Sequence, residues 1–146
     1  MNVTVTYNKK SYDHFFRPIF IEHPHLEQSL LDDFKRYKET NTLPDYFGRD
    51  TNYLRPCDIE HKKLMHIHLA LHGKKLKTPD GGDIDVKTSQ WNRTSDSALI
   101  YSQNIFDDSH YSLIALFDPG AHLKAQNYPR MRILASYGEE FRKLII

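Results

Sequence analysis

Residues 62–71, KKLMHIHLAL, constrain the fold more than any other stretch of the chain. Side chains alternate across a β-strand. Laid out as a strand, Met65, Ile67 and Leu69 fall on one face, with Leu71 in the same parity, and His66 and His68 fall on the other. The apolar face demands a core. The histidine face demands either solvent or a ligand. Lys62, Lys63, Lys74, Lys75 and Lys77 flank the strand, and no acid interrupts residues 62–77. A central strand with its polar face towards something anionic is therefore expected.

The remaining elements are read around that strand. The run FFRPIFI at 15–21 contains Pro18, which removes a backbone donor, so an edge or broken strand is expected there. His23-Pro24 then opens a helix. Leu26, Leu30, Leu31, Phe34 and Tyr37 recur at helical spacing, which predicts a helix over 24–39 with one apolar stripe against the sheet. Residues 41–58 hold two prolines, one glycine and three aromatics, and read as an irregular but packed loop. Residues 72–88 are polar and glycine-bearing, an exposed loop. Strands follow at 97–103 and 111–117, joined by a tight hairpin connection. The second, YSLIALF, is nearly continuous in apolar residues and should be the most buried. Asp118-Pro119-Gly120 breaks it, and Met131, Leu134, Tyr137, Phe141 and Leu144 predict a C-terminal helix. The expected fold is α+β: one compact domain over residues 1–146, with an antiparallel sheet of about four strands flanked by an N-terminal helical segment and a C-terminal helix. Residues 1–12 are expected either as a short strand, since Val3, Val5 and Tyr7 alternate, or as an extra loose arm.

Composition narrows the class. A chain of 146 residues with 39% hydrophobic and 12% aromatic side chains supports one core and one domain. No apolar run approaches membrane-span length, so no membrane partner is expected. The start, MNVTVTYNKK, lacks the apolar core of a secretory signal. The single cysteine, Cys57, permits no internal disulfide and argues against a cysteine-based zinc site, which fits a reducing cytoplasm. A net charge of +1 does not announce nucleic acid. Basic residues nevertheless gather at 62–77 and 124–143, and a near-neutral chain can carry a basic face.

Several groups can carry chemistry. His66 and His68 read either as solvated side chains or as part of a site. A His-x-His pair also suits zinc if His61, His72, His122 or Asp58 supplies a third ligand. Arg93, in NRTSD, either pairs with Asp96 or grips phosphate with its planar fork. His122 and Lys124 follow the most buried strand, whose rigid end suits a catalytic loop residue. Tyr128, Arg130, Arg132, Arg142 and Lys143 mark a basic helix, in contact with phosphates or simply solvated. There is no glycine-rich phosphate loop, no nucleophilic serine or cysteine motif and no arguable carboxylate pair. Histidine, arginine and lysine together suit phosphodiester cleavage. Histidine moves protons near neutral pH, and the cations stabilise charge at phosphorus. On RNA the 2′-hydroxyl is the nucleophile, so neither a metal nor another cofactor is needed.

Longer motifs add a resemblance. LPDYFGRD at 43–50, HIHLA at 66–70, RTSDSALIYSQ at 93–103 and SLIAL at 112–116 occur in this order, followed by the spaced His122, Ala125, Met131, Phe141 and Arg142. From about Phe15 to Arg142 this pattern resembles the YafO family of bacterial type II toxin–antitoxin toxins. The resemblance implies a RelE-like, metal-independent endoribonuclease: an mRNA interferase that cleaves mRNA on the ribosome and stops translation. It implies a cognate antitoxin as partner, with operator DNA reached only through the antitoxin complex. Matched positions and their chemistry nominate Arg93, His122, His68 and His66 as catalytic. Arg93 would meet transition-state charge, and His122 or His68 would transfer protons. Arg49, Lys124, Arg130, Arg142 and Lys63 are nominated for RNA binding, with Arg49 alternatively paired to Asp50 and Asp45 capping a turn. Two rival readings stand beside this one: a non-catalytic RNA- or ribosome-binding module, and a zinc-dependent hydrolase using His66 and His68.

Overall fold

A computed structural model describes residues 2–146. Five strands form one sheet in the order β1-β5-β4-β3-β2, where β1 is Thr4–Tyr7, β2 Phe47–Asn52, β3 Met65–Leu69, β4 Ala98–Gln103 and β5 His110–Phe117. The expected sheet of about four antiparallel strands is corrected on two counts. The outer strand β1 adds to it, and β1 runs parallel to β5, with Thr4 opposite His110 and Tyr7 opposite Leu113. The other pairings are antiparallel. β2 was hidden because FGRDTN has no apolar alternation: it is an edge strand with a register shift between Phe47 and Asp50.

The run at 15–21 is helical, not a strand. The helices α1, Tyr12–Phe15, and α2, Arg17–Glu22, meet there, and Pro18 stands in the first turn of α2, where a missing N–H loses no partner. The long helix α3, Pro24–Thr40, buries Leu26, Leu30, Phe34 and Tyr37 and ends on Asn41 in the left-handed region at φ 59°. Its stripe packs with Phe16, Phe20, Ile67, Leu69, Leu99, Tyr101 and Leu113 on one side of the sheet.

The opposite side is covered by α4, Cys57–His61, α5, Ala121–Ala125, and α6, Tyr128–Arg142. Here Ile59, Leu64, Ala98, Ile100, Ile114, Phe117, Met131, Leu134 and Ala135 make a second core. The Asn127 side chain caps α6 by accepting the Arg130 N–H at 3.1 Å. Gly138 lets α6 lie against β4, because a Cβ there would collide with the Ser102 hydroxyl. At one end of the sheet β3 and β5 finish and β4 begins. No helix among the described residues is long and apolar enough to cross a membrane.

Candidate active site

β3 sorts its residues as alternation requires. Ile67 and Leu69 enter the α3 core. His66 and His68 lie opposite Ile100 and Ala98, on the α6 side. That side does not present them openly to solvent: His68 is only 6% exposed. Tyr53 stacks on His66 with ring centres 4.0 Å apart. The His66 and His68 rings are 5.6 Å apart, and His122 stands edge-on to His68 at 5.8 Å. These residues, with Ser95 and Ser97, enclose a cleft of about 40 Å³, room for one water or one phosphoryl oxygen.

His122 is held by the turn that precedes β4. Asp118 ends β5 and is clamped by the Ser97 hydroxyl at 2.6 Å and by His72 at 2.5 Å. Gly120, at φ 81°, then swings the chain into α5. The Ala121 N–H donates to the Asp96 carbonyl at 2.9 Å. One oxygen of the Asp96 carboxylate accepts both the His122 backbone N–H, at 3.0 Å, and its Nδ1, at 2.8 Å. The His122 backbone N–H, followed by its ring, holds the Asp96 carboxyl below the usual carboxylate range. In the neutral tautomer that donates Nδ1–H to this carboxylate, Nε2 of His122 is the acceptor, and the side chain is well exposed.

The two strand histidines behave differently. The Ser95 N–H donates to Nδ1 of His68 at 2.9 Å, which leaves the proton of the neutral ring on Nε2. Burial first, then the charges of His122 and Arg49, push the His68 pKa down to about 4. Burial first, then His68, His122 and Arg49, push His66 down to about 3. Both are neutral near pH 7. They supply N–H donors rather than a titrating acid.

Outside the cleft, its lining residues Ser95, Ser97 and His122 also border a groove of about 390 Å³, together with Asp96, Lys74, Lys75 and Lys77. The lysine cluster and the histidine cleft thus meet at the Asp96–His122 pair.

The nominated residues do not all converge. His66, His68 and His122 are together. Arg49 is close enough for its charge to depress both strand histidines. Arg93 turns away: its Nε and one terminal nitrogen donate to the carbonyls of Thr88 and Asp85, each at 3.1 Å. It organises the preceding loop and does not pair with Asp96. Lys63 is exposed on the turn before β3. Lys124 and Arg130 line a separate cavity of about 290 Å³ with His14, Phe15 and Pro18. Arg142 donates to the Gln103 carbonyl at 3.2 Å, at the far end of β4, about 17 Å from Ala98 at strand spacing. Asp50 pairs with Lys38 rather than Arg49. Sequence reasoning missed Asp96 as the partner of His122 and Tyr53 as the lid on His66. Only its place in the same motif as Arg93 marked Asp96. Among the described residues no three His, Cys, Asp or Glu side chains converge as metal ligands. Of the third zinc ligands nominated, His61 meets Cys57, His72 meets Asp118 and Asp58 meets Arg132, while His122 lies beside His68 with its Nδ1 on Asp96.

Comparison with known proteins gives a family and a relative. The family described as "Toxin YafO, type II toxin-antitoxin system" matches residues 35–143. An Escherichia coli protein named mRNA interferase toxin YafO is 33% identical over 118 residues, covering 78% of this chain and 83% of the relative. No solved structure matches the chain.

Proposed function

Because the chain belongs to the YafO family of type II toxin–antitoxin toxins, we propose that it is itself an mRNA interferase, cutting RNA at the Asp96–His122 pair. The observation that carries this is the meeting of that pair with the lysine groove on one side and the neutral histidine cleft on the other. Lys74, Lys75 and Lys77 hold the RNA backbone. Nε2 of His122 takes the proton of the 2′-hydroxyl, and the Asp96 carboxylate stabilises the imidazolium that forms. O2′ attacks phosphorus, the P–O5′ bond breaks, O5′ takes a proton from water, and a 2′,3′-cyclic phosphate remains. Nε2–H of His68 and the charge of Arg49 face the negative charge that builds on the phosphoryl oxygens. On this reading Arg93 positions the loop, and Arg49 does the work first assigned to it.

The same proposal covers the finer points. The compact sheet between helical layers supports RelE-like descent. The small cleft, with room for about one phosphoryl oxygen, leaves the rest of the strand to be held elsewhere, which supports dependence on the ribosome to hold the mRNA in place. A cognate antitoxin is the protein partner, and operator DNA is reached through that complex in the cytoplasm. Residues 1–146 act as one toxin domain, with β1 part of its sheet.

The test is primer extension on a reporter mRNA in a translating extract, with the wild type and His122→Ala. New 5′ ends that need ribosomes and vanish in the folded variant are expected. Translation arrest without new ends would replace this reading with a ribosome-binding one. Undiminished cutting by His122→Ala would move the site elsewhere.

A further inference from the structure

Trp91 is the single tryptophan of the chain, and 57% of it is exposed. It sits on a single 3-10 turn, Gln90–Asn92, that is held with unusual firmness for a loop. Gln90 donates from one nitrogen to the Tyr37 hydroxyl at 2.9 Å and to the Gly48 carbonyl at 3.0 Å. The Arg49 N–H donates to the Arg93 carbonyl at 2.8 Å. Gly48 permits this approach, since a Cβ there would collide with the Arg93 carbonyl. Nε of Arg49 donates to the Trp91 carbonyl at 2.6 Å, and its guanidinium lies over the indole, 4.3 Å from the ring centre. One face of the indole is therefore occupied by a cation whose charge also bears on His66 and His68.

A large aromatic ring on a fixed turn, outside the core, is held for something. An indole backed by a guanidinium offers a flat, pre-ordered surface, and every nucleobase has a matching π-face. Pre-ordering matters because little conformational freedom remains to be lost on binding. We propose that Trp91, backed by Arg49, is a base-stacking subsite that holds a nucleobase beside the scissile phosphate. This rests on the RNA-cleaving reading above and adds the group that grips a base rather than a phosphate. Stacking tolerates any base, so Trp91 fixes where the strand lies more than which base is read.

The chain's lone tryptophan makes binding directly visible. The probe is a hexanucleotide RNA carrying 2′-O-methyl at every sugar, which cannot be cut, compared with an abasic strand of equal length. Saturable quenching of Trp91 fluorescence by the first and not by the second is expected. Equal quenching by both, or none up to millimolar strand, overturns the subsite. In the translating extract, Trp91→Ala should cut about 5- to 150-fold more slowly, from the usual worth of one stacked base, while Trp91→Phe recovers most of the rate. Cutting by a folded Trp91→Ala at the wild-type rate and positions also overturns it and leaves the interferase reading intact. If the wild type itself cuts nothing, that reading fails, and the quenching comparison alone decides whether the indole stacks bases.

Discussion

The two neutral histidines make stability depend on pH below the ordinary histidine range. An ordinary histidine has a pKa near 6.5. Folding lowers it to about 4 at His68 and about 3 at His66. Between those values and about 6.5 the unfolded chain binds more protons than the folded one, so stability falls as pH falls. The contribution is complete above about pH 6.5 and is lost as pH drops towards the folded values. Linkage from pH 7 to pH 5 gives a loss of about 2 kcal/mol for each histidine, or about 4 kcal/mol for the pair, a large part of a typical domain's stability. Urea unfolding at the two pH values should show a midpoint lower by about 2 M at pH 5. The control is the double variant His66→Phe/His68→Gln. Phenylalanine keeps the stack on Tyr53, and Nδ1 of His66 has no hydrogen-bond partner to lose. Glutamine retains an oxygen for the Ser95 N–H. The double variant should lose less than about 1 kcal/mol over the same interval. An equal fall in wild type and double variant would refute the assignment of neutral, buried rings.

Three further outcomes are expected. Asp96→Asn should slow cleavage only about three- to tenfold, because the pair is exposed, whereas His122→Ala should cost about a hundredfold or more; single-turnover rates on ribosome-bound mRNA check the ratio. Lys74→Gln and Lys75→Gln should each weaken binding of a single-stranded RNA and reduce the slope of log affinity against log salt by about 0.7, measured by filter binding. Gly48→Ala forces a Cβ against the Arg93 carbonyl and Leu76, so thermal unfolding should show a loss of about 1–3 kcal/mol, with cleavage impaired as the Trp91 turn shifts.

What could be read from the chain followed the strength of the local signal. β3 and β5 were legible because alternation and a continuous apolar run leave few alternatives. α3 was legible because its stripe repeats over three turns. β2 was not, because an edge strand of Gly48, Arg49, Asp50, Thr51 and Asn52 carries polar groups on both faces. Residues 15–21 misled because Pro18 argues equally against a strand interior and for a first helical turn. At the site, parity alone put His66 and His68 on one face. Their neutrality depends on burial under Tyr53 and α5, which no local pattern encodes. Arg93 misled in the opposite sense: a guanidinium beside a strand looks ready for phosphate until the Thr88 and Asp85 carbonyls occupy it.

The motif LPDYFGRD shows how one edge strand divides its labour. Arg49 and Asp50 are neighbours in sequence, yet they serve opposite sides of the sheet. Asp50 goes inward and accepts the hydroxyls of Tyr37 at 2.8 Å and Tyr101 at 2.7 Å, with Lys38 at 3.3 Å. Burial first, then the Asp50 charge, push both phenols above their ordinary pKa, so they remain donors. A buried ion pair of this kind adds little net stability, but removing one member leaves a charge without its partner and is strongly destabilising. Its yield is therefore position. It joins α3, β2 and β4, and through Tyr37 it reaches Gln90 and the turn that displays Trp91. Arg49, one residue earlier, bonds that same turn from the other side and lends its charge to the histidine cleft. Asp50 in the core thereby holds, through Tyr37 and Gln90, the same turn that Arg49 bonds from the opposite side of the sheet.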